Sequence, residues 1–193
     1  MATDYKYQSV NLAHPVPADL AQPFHVECPP GTDVWDKPPA THSFNAPIIY
    51  RAAPCSSFRS ARVTVSAEWT HKYDQAGLIL VAITTQGRKW IKTGIEFEHG
   101  HPNVSTVAKD RWADWSLSPL ESGEATIELN VESGSVWVWL VKGQKRTTAL
   151  REVTFWADLP QDAECWVGVY AARPSSQAEP LTVNFHDLEI RLA

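Results

Sequence analysis

From residue 61 onward, short runs of β-branched and aromatic residues alternate with turn signals along the chain. This pattern predicts ten strands, at residues 62–70, 76–84, 89–98, 103–108, 112–117, 125–131, 135–141, 150–157, 165–172 and 181–192. Such spacing is typical of an all-β sandwich or barrel and not of alternating strands and helices. No segment combines a long apolar period of 3.6 residues with helix caps, so we expect little helix.

The front of the chain is marked by proline, because residues 1–60 hold nine of the fourteen prolines. Proline has no N–H to donate to a sheet ladder or a helix. We therefore predict that residues 1–60 form extended edge segments and loops that wrap the remainder. No change of composition marks a linker, so the prediction is a single domain over residues 1–193.

Charge and hydropathy limit the partners that we expect. The formal net charge is −5, and the densest cationic run, KGQKR at residues 142–146, is predicted to be a hairpin turn. Nucleic acid is not expected, because phosphate binding needs clustered positive charge. The apolar runs are too short for a membrane span, and the first residues do not resemble a secretory signal. We expect a soluble, cytoplasmic protein that does not bind membranes.

The residue types that hold metals and cofactors give no clear pattern. Cys28, Cys55 and Cys165 are odd in number and widely spaced, which favours reduced thiols over disulfides or a zinc site. His99 and His101 lie close to Glu98, but the glycine between the two histidines indicates a turn that keeps the imidazoles apart. We predict no metal and no cofactor.

The segment 90–98 supplies the main candidates for chemistry. Successive side chains of a strand point to opposite faces, so the odd positions from 91 to 97 form an ordinary apolar core face. The opposite face carries Trp90, Lys92, Glu96 and Glu98. An aromatic ring, an ammonium group and two carboxylates suit a sheet face that receives a ligand. The alternative is a solvated face with an ion pair between Lys92 and Glu96.

Further polar residues are predicted to form a rim around this face. Tyr73, Asp74 and Gln75 precede the second predicted strand, and Asp114 and Trp115 lie in the fifth. Both aspartates are ligand candidates, although their residue type favours capping of a turn through the neighbouring backbone. His101 completes the predicted ligand-binding set.

Glu96 and Glu98 are the catalytic candidates if the protein is an enzyme. Residues two apart on a strand are separated by about 6.6 Å at Cα, and retaining glycosidases hold two carboxyl groups about 5–5.5 Å apart. Any Glu-x-Glu on a strand satisfies this spacing, so it permits glycosidase chemistry without indicating it.

Several motifs occur in a recognisable order: YDQAGL at 73–78, WIKTGIEF at 90–97, STV at 105–107 and DWS at 114–116. The same pattern includes TDVW at 32–35, LREV at 150–153 and VGVYAA at 167–172. Over roughly residues 30–192 the chain resembles the concanavalin A-like domains of unknown function that include the yeast regulation-of-enolase protein. The resemblance implies a jelly-roll β-sandwich of two antiparallel sheets with a concave face.

The resemblance also bears on catalysis. Laminarinase-type glucanases of this fold carry Glu-x-Asp-x-x-Glu on one strand, whereas residues 96–101 here read EFEHGH. His101 therefore stands where the second glutamate of that motif should be. This departure argues against standard retaining hydrolysis.

Three functions follow as expectations. The first is binding of a carbohydrate or small metabolite on the concave face, with a regulatory role in sugar metabolism. The second is a cofactor-free enzyme, a glycosidase-like hydrolase, lyase, isomerase or cyclase, in which Glu96 and Glu98 act with His101 or His186. The third is a regulator that binds a protein partner. Exposed sheet edges would also permit a homodimer, and the sequence leaves the oligomeric state open.

Overall fold

The computed structural model describes residues 6–160 and 162–193, and two antiparallel sheets dominate this part of the chain. In order across it, the seven-stranded sheet contains β1 (Tyr7–Val10), β5 (Ile48–Pro54), β14 (Glu164–Ala172), β7 (Gln75–Thr84), β8 (Gly87–Glu98), β9 (His101–Lys109) and β10 (Ala113–Pro119). The six-stranded sheet contains β13 (Lys145–Val153), β12 (Ser135–Lys142), β11 (Glu124–Glu132), β6 (Phe58–Ala67), β15 (Leu181–Leu192) and β2 (Phe24–Cys28). β3 (Val34–Lys37) and β4 (Thr41–Phe44) form a separate hairpin.

The predicted all-β sandwich of two antiparallel sheets is confirmed, and the ten predicted strands correspond to β6 through β15. The strand predicted at 150–157 differs most from the structure. β13 starts at Lys145, directly after the tight turn at Gly143, and ends at Val153. A short 3-10 segment, Thr154–Asp158, follows it, and a second, Cys55–Ser57, precedes β6.

The proline-rich front segment contributes five strands. β5 lies between β1 and β14 inside the seven-stranded sheet, although we expected this region to wrap the outside. The reason is local, because the six residues from Ile48 to Ala53 contain no proline and form an unbroken ladder. The prolines at 47 and 54 bound the strand without interrupting it.

Alternate residues of β7 pack into two separate apolar clusters. Leu78 and Leu80 belong to the main core between the two sheets. Ile79 and Val81 belong to a second cluster on the opposite side of the seven-stranded sheet, which we call the outer face. Val34 of the β3–β4 hairpin is fully buried in this second cluster. The hairpin therefore covers part of the face on which the ligand was predicted to bind.

No helix within residues 6–160 and 162–193 combines the length and apolarity that a transmembrane segment requires.

Candidate functional site

A cleft of about 650 Å³ opens on the outer face beside the β3–β4 hairpin. Its volume falls within the range of about 300–1,000 Å³ that is common for small-molecule sites. The cleft is built from the seven-stranded sheet, including its edge strand β10, from the front segment, and from the two loops that precede β7 and follow β14. The lining residues are Asp33, Trp35, Lys37, Tyr73, Gln75, Lys92, Glu96, Val107, Ala113, Trp115 and Pro174.

Two glycines lie within the sheet between the polar residues of the cleft. Gly77 on β7 pairs with Gly94 on β8. This glycine pair lies between two other cross-strand pairs, one that contains Lys92 and one that contains Gln75. A Cβ atom on Gly94 would lie 1.9 Å from the carbonyl oxygen of Ala76. Glycine is therefore required there, and the two missing side chains leave a depression across which Lys92 reaches Gln75.

The Lys92 ammonium group lies at the base of the cleft and is 2% exposed. Its Nζ donates to Gln75 Oε1 at 2.5 Å and to Asp33 Oδ1 at 3.4 Å. Three aromatic rings surround the nitrogen at 5.8–5.9 Å, those of Trp35, Trp90 and Tyr170. Burial lowers the pKa of Lys92, and the charges of Asp33 and Glu96 oppose this shift.

Glu96 provides a second buried titratable group in the same cleft. Its Oε2 accepts hydrogen bonds from Ser105 Oγ at 2.6 Å and from Trp115 Nε1 at 3.1 Å. Its Oε1 accepts no side-chain hydrogen bond from the residues that the structure describes. Burial raises the pKa of Glu96, while Lys92 and the two hydrogen bonds oppose the shift. One carboxyl oxygen is thus fixed by two donors, and the other is free to accept a further hydrogen bond.

Glu96→Gln is expected to make folding stability less dependent on pH. A carboxyl whose pKa is raised by folding stabilises the protein fully below its unfolded pKa, and this contribution is lost as pH rises through the folded pKa. The variant should therefore be more stable than the parent at pH 7–8, and the difference should shrink toward pH 4. Urea denaturation across this range measures it, with exposed Glu189→Gln as the control. A parent that gained stability relative to Glu96→Gln as pH rose would contradict the assignment.

Aromatic side chains form the walls of the cleft. Trp115 of β10 is 36% exposed, and the Tyr73 ring meets it edge-on at a centroid distance of 6.2 Å. Tyr73 has a φ of 68°, and its N–H donates to the Phe97 carbonyl at 2.7 Å, which holds the loop against β8. Trp35 of the hairpin contributes a further ring to the lining.

An ion pair outside the cleft joins the three segments that deliver cleft residues. Arg173 donates to both carboxylate oxygens of Asp74, at 2.7 and 2.6 Å, and both residues are buried. The Arg173 backbone N–H also bonds to Thr32 Oγ1, and its carbonyl accepts from the Thr32 N–H. Each of these residues stands directly before a cleft residue in the sequence: Thr32 before Asp33, Asp74 before Gln75, and Arg173 before Pro174. The pair therefore sets the relative positions of these segments.

Asp74 consequently has a different role from the predicted ligand contact. Its carboxylate is fully buried and also accepts from the backbone N–H groups of Thr70 and His71. No oxygen of Asp74 lines the cleft, and the capping interpretation of this residue agrees with the structure. Its neighbours Tyr73 and Gln75 do line the cleft.

Four other predicted ligand residues also lie outside the cleft lining. Trp90 is 1% exposed beneath the hairpin, with its Nε1 3.4 Å from Asp36 Oδ2, so it cannot stack on a ligand there. Asp114 is exposed and pairs with Arg151. The remaining two are Glu98 and His101.

Glu98 does not form a catalytic pair with Glu96 in the cleft. Its side chain is buried near the end of β8, where Oε1 lies 3.3 Å from the Lys72 Nζ. His101 is exposed, and its Nδ1 lies 3.1 Å from the Pro102 carbonyl oxygen. His186 belongs to β15 in the other sheet. The predicted group of two glutamates and a histidine is therefore not assembled, and Glu96 alone lines the cleft.

The sequence interpretation did not identify several cleft residues. Asp33, Trp35 and Lys37 come from the front segment, and Pro174 follows β14. Ser105 is not part of the lining, but it lies opposite Gly94 on β9 and donates to Glu96. The motif at 32–35 was the available signal, since it belongs to the ordered pattern that carries the resemblance. Among the described residues, no group of three or more His, Cys, Asp or Glu side chains is arranged to hold a metal ion.

Comparison with known proteins places the chain among related sequences. The family model described as "Protein of unknown function (DUF1349)" matches residues 15–193. Uncharacterized protein AN7484 of Emericella nidulans is 51% identical, over 96% of both chains. Regulation of enolase protein 1 of Saccharomyces cerevisiae is 27% identical over 67% of this chain and 68% of its own length.

Solved structures show the same architecture. A functionally unknown protein from Saccharomyces cerevisiae matches with a TM-score of 0.79 and 22% identity, over 97% of this chain and 96% of that one. The GH43 BlXynB protein from Bacillus licheniformis matches with a TM-score of 0.59 and 13% identity, over 84% of this chain and 32% of that one. These likenesses establish the fold, a concanavalin A-like jelly-roll sandwich, as the resemblance implied.

Proposed function

The chain belongs to the DUF1349 family of proteins of unknown function, and we propose that its outer-face cleft binds a carbohydrate or another small polyhydroxylated metabolite. One observation carries this proposal: Trp35 and Trp115 line the same cleft as the buried Lys92 and Glu96. Aromatic faces pack against the C–H faces of sugar rings, while buried polar groups fix the positions of hydroxyls. The combination suits a ligand with both kinds of surface.

Hydrogen-bonding capacity in the cleft supports the same ligand class. Glu96 Oε1 is available to accept from a hydroxyl, and Lys37 adds an ammonium group to the lining. Asp33 is only partly buried, with 26% of its side chain exposed. A polyhydroxylated ligand can donate to the carboxylates and accept from the ammonium groups, whereas an apolar ligand would leave them unpaired.

A regulatory role in sugar metabolism is the biological context that we propose. The yeast relative is named Regulation of enolase protein 1, and the fold neighbours include a GH43 protein, a putative beta-glucanase and a family 7 alginate lyase. The identity to those neighbours is low, so they support the context and do not identify the ligand.

A thermal-shift screen tests the proposal. The parent protein is heated with monosaccharides, oligosaccharides, sugar phosphates and a fractionated metabolite extract, and the screen is repeated with Glu96→Gln. A ligand at a hundredfold excess over its Kd should add about 2.7 kcal/mol of stability to the parent. The shift should be lost or reduced in Glu96→Gln and kept in Glu189→Gln. A shift that all three proteins share equally would place binding away from Glu96.

Acid–base catalysis without a cofactor is a second candidate, favoured by the two titratable groups in the cleft. Burial raises the pKa of the Glu96 carboxyl and lowers the pKa of the Lys92 amine, so both pKa values move toward neutral pH, where acid–base catalysis is most effective. A lyase or isomerase fits this pair better than a retaining hydrolase, because Glu98 does not line the cleft. Each ligand found in the screen would be assayed for conversion, with turnover expected only while Glu96 is present.

A further inference from the structure

The Lys92 amine differs from the other lysines in ways that matter for its chemistry. Lys142 and Lys145 flank an exposed hairpin turn, whereas Lys92 is 2% exposed at the base of the cleft. Burial favours the neutral amine, and only the neutral form has a lone pair with which to attack carbon. Lysines in such surroundings serve as nucleophiles toward carbonyl groups.

The surrounding contacts hold the amine in one position. Gln75 Nε2 donates to Asp33 Oδ1 at 3.3 Å and to the Tyr73 carbonyl at 3.2 Å, so its Oε1 points toward Lys92. Tyr170 Oη donates to the same Oε1 at 3.4 Å. The side chain of Lys92 is therefore oriented by groups that themselves have fixed partners.

We propose that Lys92 forms an imine with the carbonyl carbon of a hydroxyaldehyde or hydroxyketone bound in the cleft, such as an open-chain reducing sugar. This inference rests on the proposed function, because it concerns the same cleft and narrows its ligand class. Glu96, four residues along β8 and in the same lining, is the group that exchanges a proton with the ligand oxygen.

The chemistry balances without an oxidant or a reductant. The Lys92 lone pair forms a C–N bond while the carbonyl π electrons move to oxygen, which takes a proton from the Glu96 carboxyl. The nitrogen passes a proton to the Glu96 carboxylate, which gives the neutral carbinolamine. Glu96 delivers that proton to the hydroxyl, which leaves as water, and the carboxylate then takes the remaining N–H proton to give the neutral imine. One amine and one carbonyl compound become one imine and one water.

Reductive trapping tests this inference on the intact chain. The parent protein is incubated with glycolaldehyde and sodium cyanoborohydride, digested, and analysed by mass spectrometry for hydroxyethylated lysine. Burial lowers the pKa of Lys92 and so enlarges its neutral fraction, and the cleft holds the aldehyde beside this amine, so we expect Lys92 to be labelled faster than the exposed Lys142 and Lys145. Labelling of Lys142 and Lys145 with Lys92 unmodified would overturn the inference. Glu96→Gln should slow labelling at Lys92 and leave Lys142 and Lys145 unchanged.

A comparison of aldoses with alditols separates this inference from the proposed function. An alditol keeps the hydroxyls of the sugar but has no carbonyl. Thermal stabilisation of the parent by both compounds, with no trapping at Lys92, would overturn the imine and leave the binding function standing. Trapping at Lys92 together with stabilisation by the aldose supports both. Neither trapping nor stabilisation by any compound of the screen would overturn both.

Discussion

Arg173→Met is expected to lower the free energy of unfolding by about 3–5 kcal/mol, because it removes one partner of a buried ion pair. Asp74 is fully buried, and Arg173 is 4% exposed and bonds to both of its carboxylate oxygens. Methionine fills much of the volume of arginine but leaves the Asp74 charge without its partner. Urea denaturation at pH 7, followed by circular dichroism, measures the loss.

The exposed pair of Arg191 and Glu189 provides the matched control. Their side chains are 74% and 60% exposed, and exposed pairs contribute about 0–1 kcal/mol. Arg191→Met should therefore change stability little. Replacing Arg173 and Asp74 together by apolar residues should recover part of the loss, since no unpaired charge remains. Equal stability of Arg173→Met and the parent would contradict the role assigned to this pair.

Trp115→Ala is expected to weaken ligand binding about 30-fold or more, equivalent to about 2 kcal/mol, the size of effect found when a central aromatic contact is removed. The ring forms part of the cleft wall, and its Nε1–H donates to Glu96 Oε2 at 3.1 Å. The substitution removes both the stacking surface and one hydrogen bond that positions the carboxyl. Isothermal titration with the ligand found in the screen measures the affinity.

Trp137→Ala is the control for this prediction. Trp137 and Trp139 stack on each other at 5.9 Å on β12 of the six-stranded sheet, away from the cleft. The control should keep the affinity of the parent. If Trp137→Ala lost affinity and Trp115→Ala kept it, the ligand would lie on the six-stranded sheet, and the proposed site would be wrong.

Periodicity was sufficient to predict much of the fold and the orientation of β8. Lys92 and Glu96 both line the cleft because they lie an even number of residues apart on one strand. The pleat of a strand places such residues on the same face. The hairpin turn at Gly143 was similarly visible as a short polar run directly after the apolar strand β12. These features depend on neighbouring residues, which is why the sequence is informative about them.

The sequence prediction and the structure differ where segments that are distant in the sequence cover a face of the sheet. Trp90 lies on the same face of β8 as Lys92. It is nevertheless buried by the β3–β4 hairpin, which lies more than 45 residues earlier in the chain. Asp74 lies between two cleft residues but turns inward to Arg173, 99 residues away. Alternation gives the side of a strand on which a residue lies, and it contains no information about a partner that arrives from elsewhere in the chain.

The most direct test of the proposed cleft is the indole region of a ¹H–¹⁵N correlation spectrum, recorded while the ligand from the screen is added. The signals are assigned with single Trp→Phe variants. We expect the Trp35 and Trp115 indole resonances to shift with saturation, because both rings line the cleft, while those of Trp137 and Trp139 stay in place. Shifts confined to Trp137 and Trp139, with Trp35 and Trp115 unchanged at saturation, would contradict binding in the cleft.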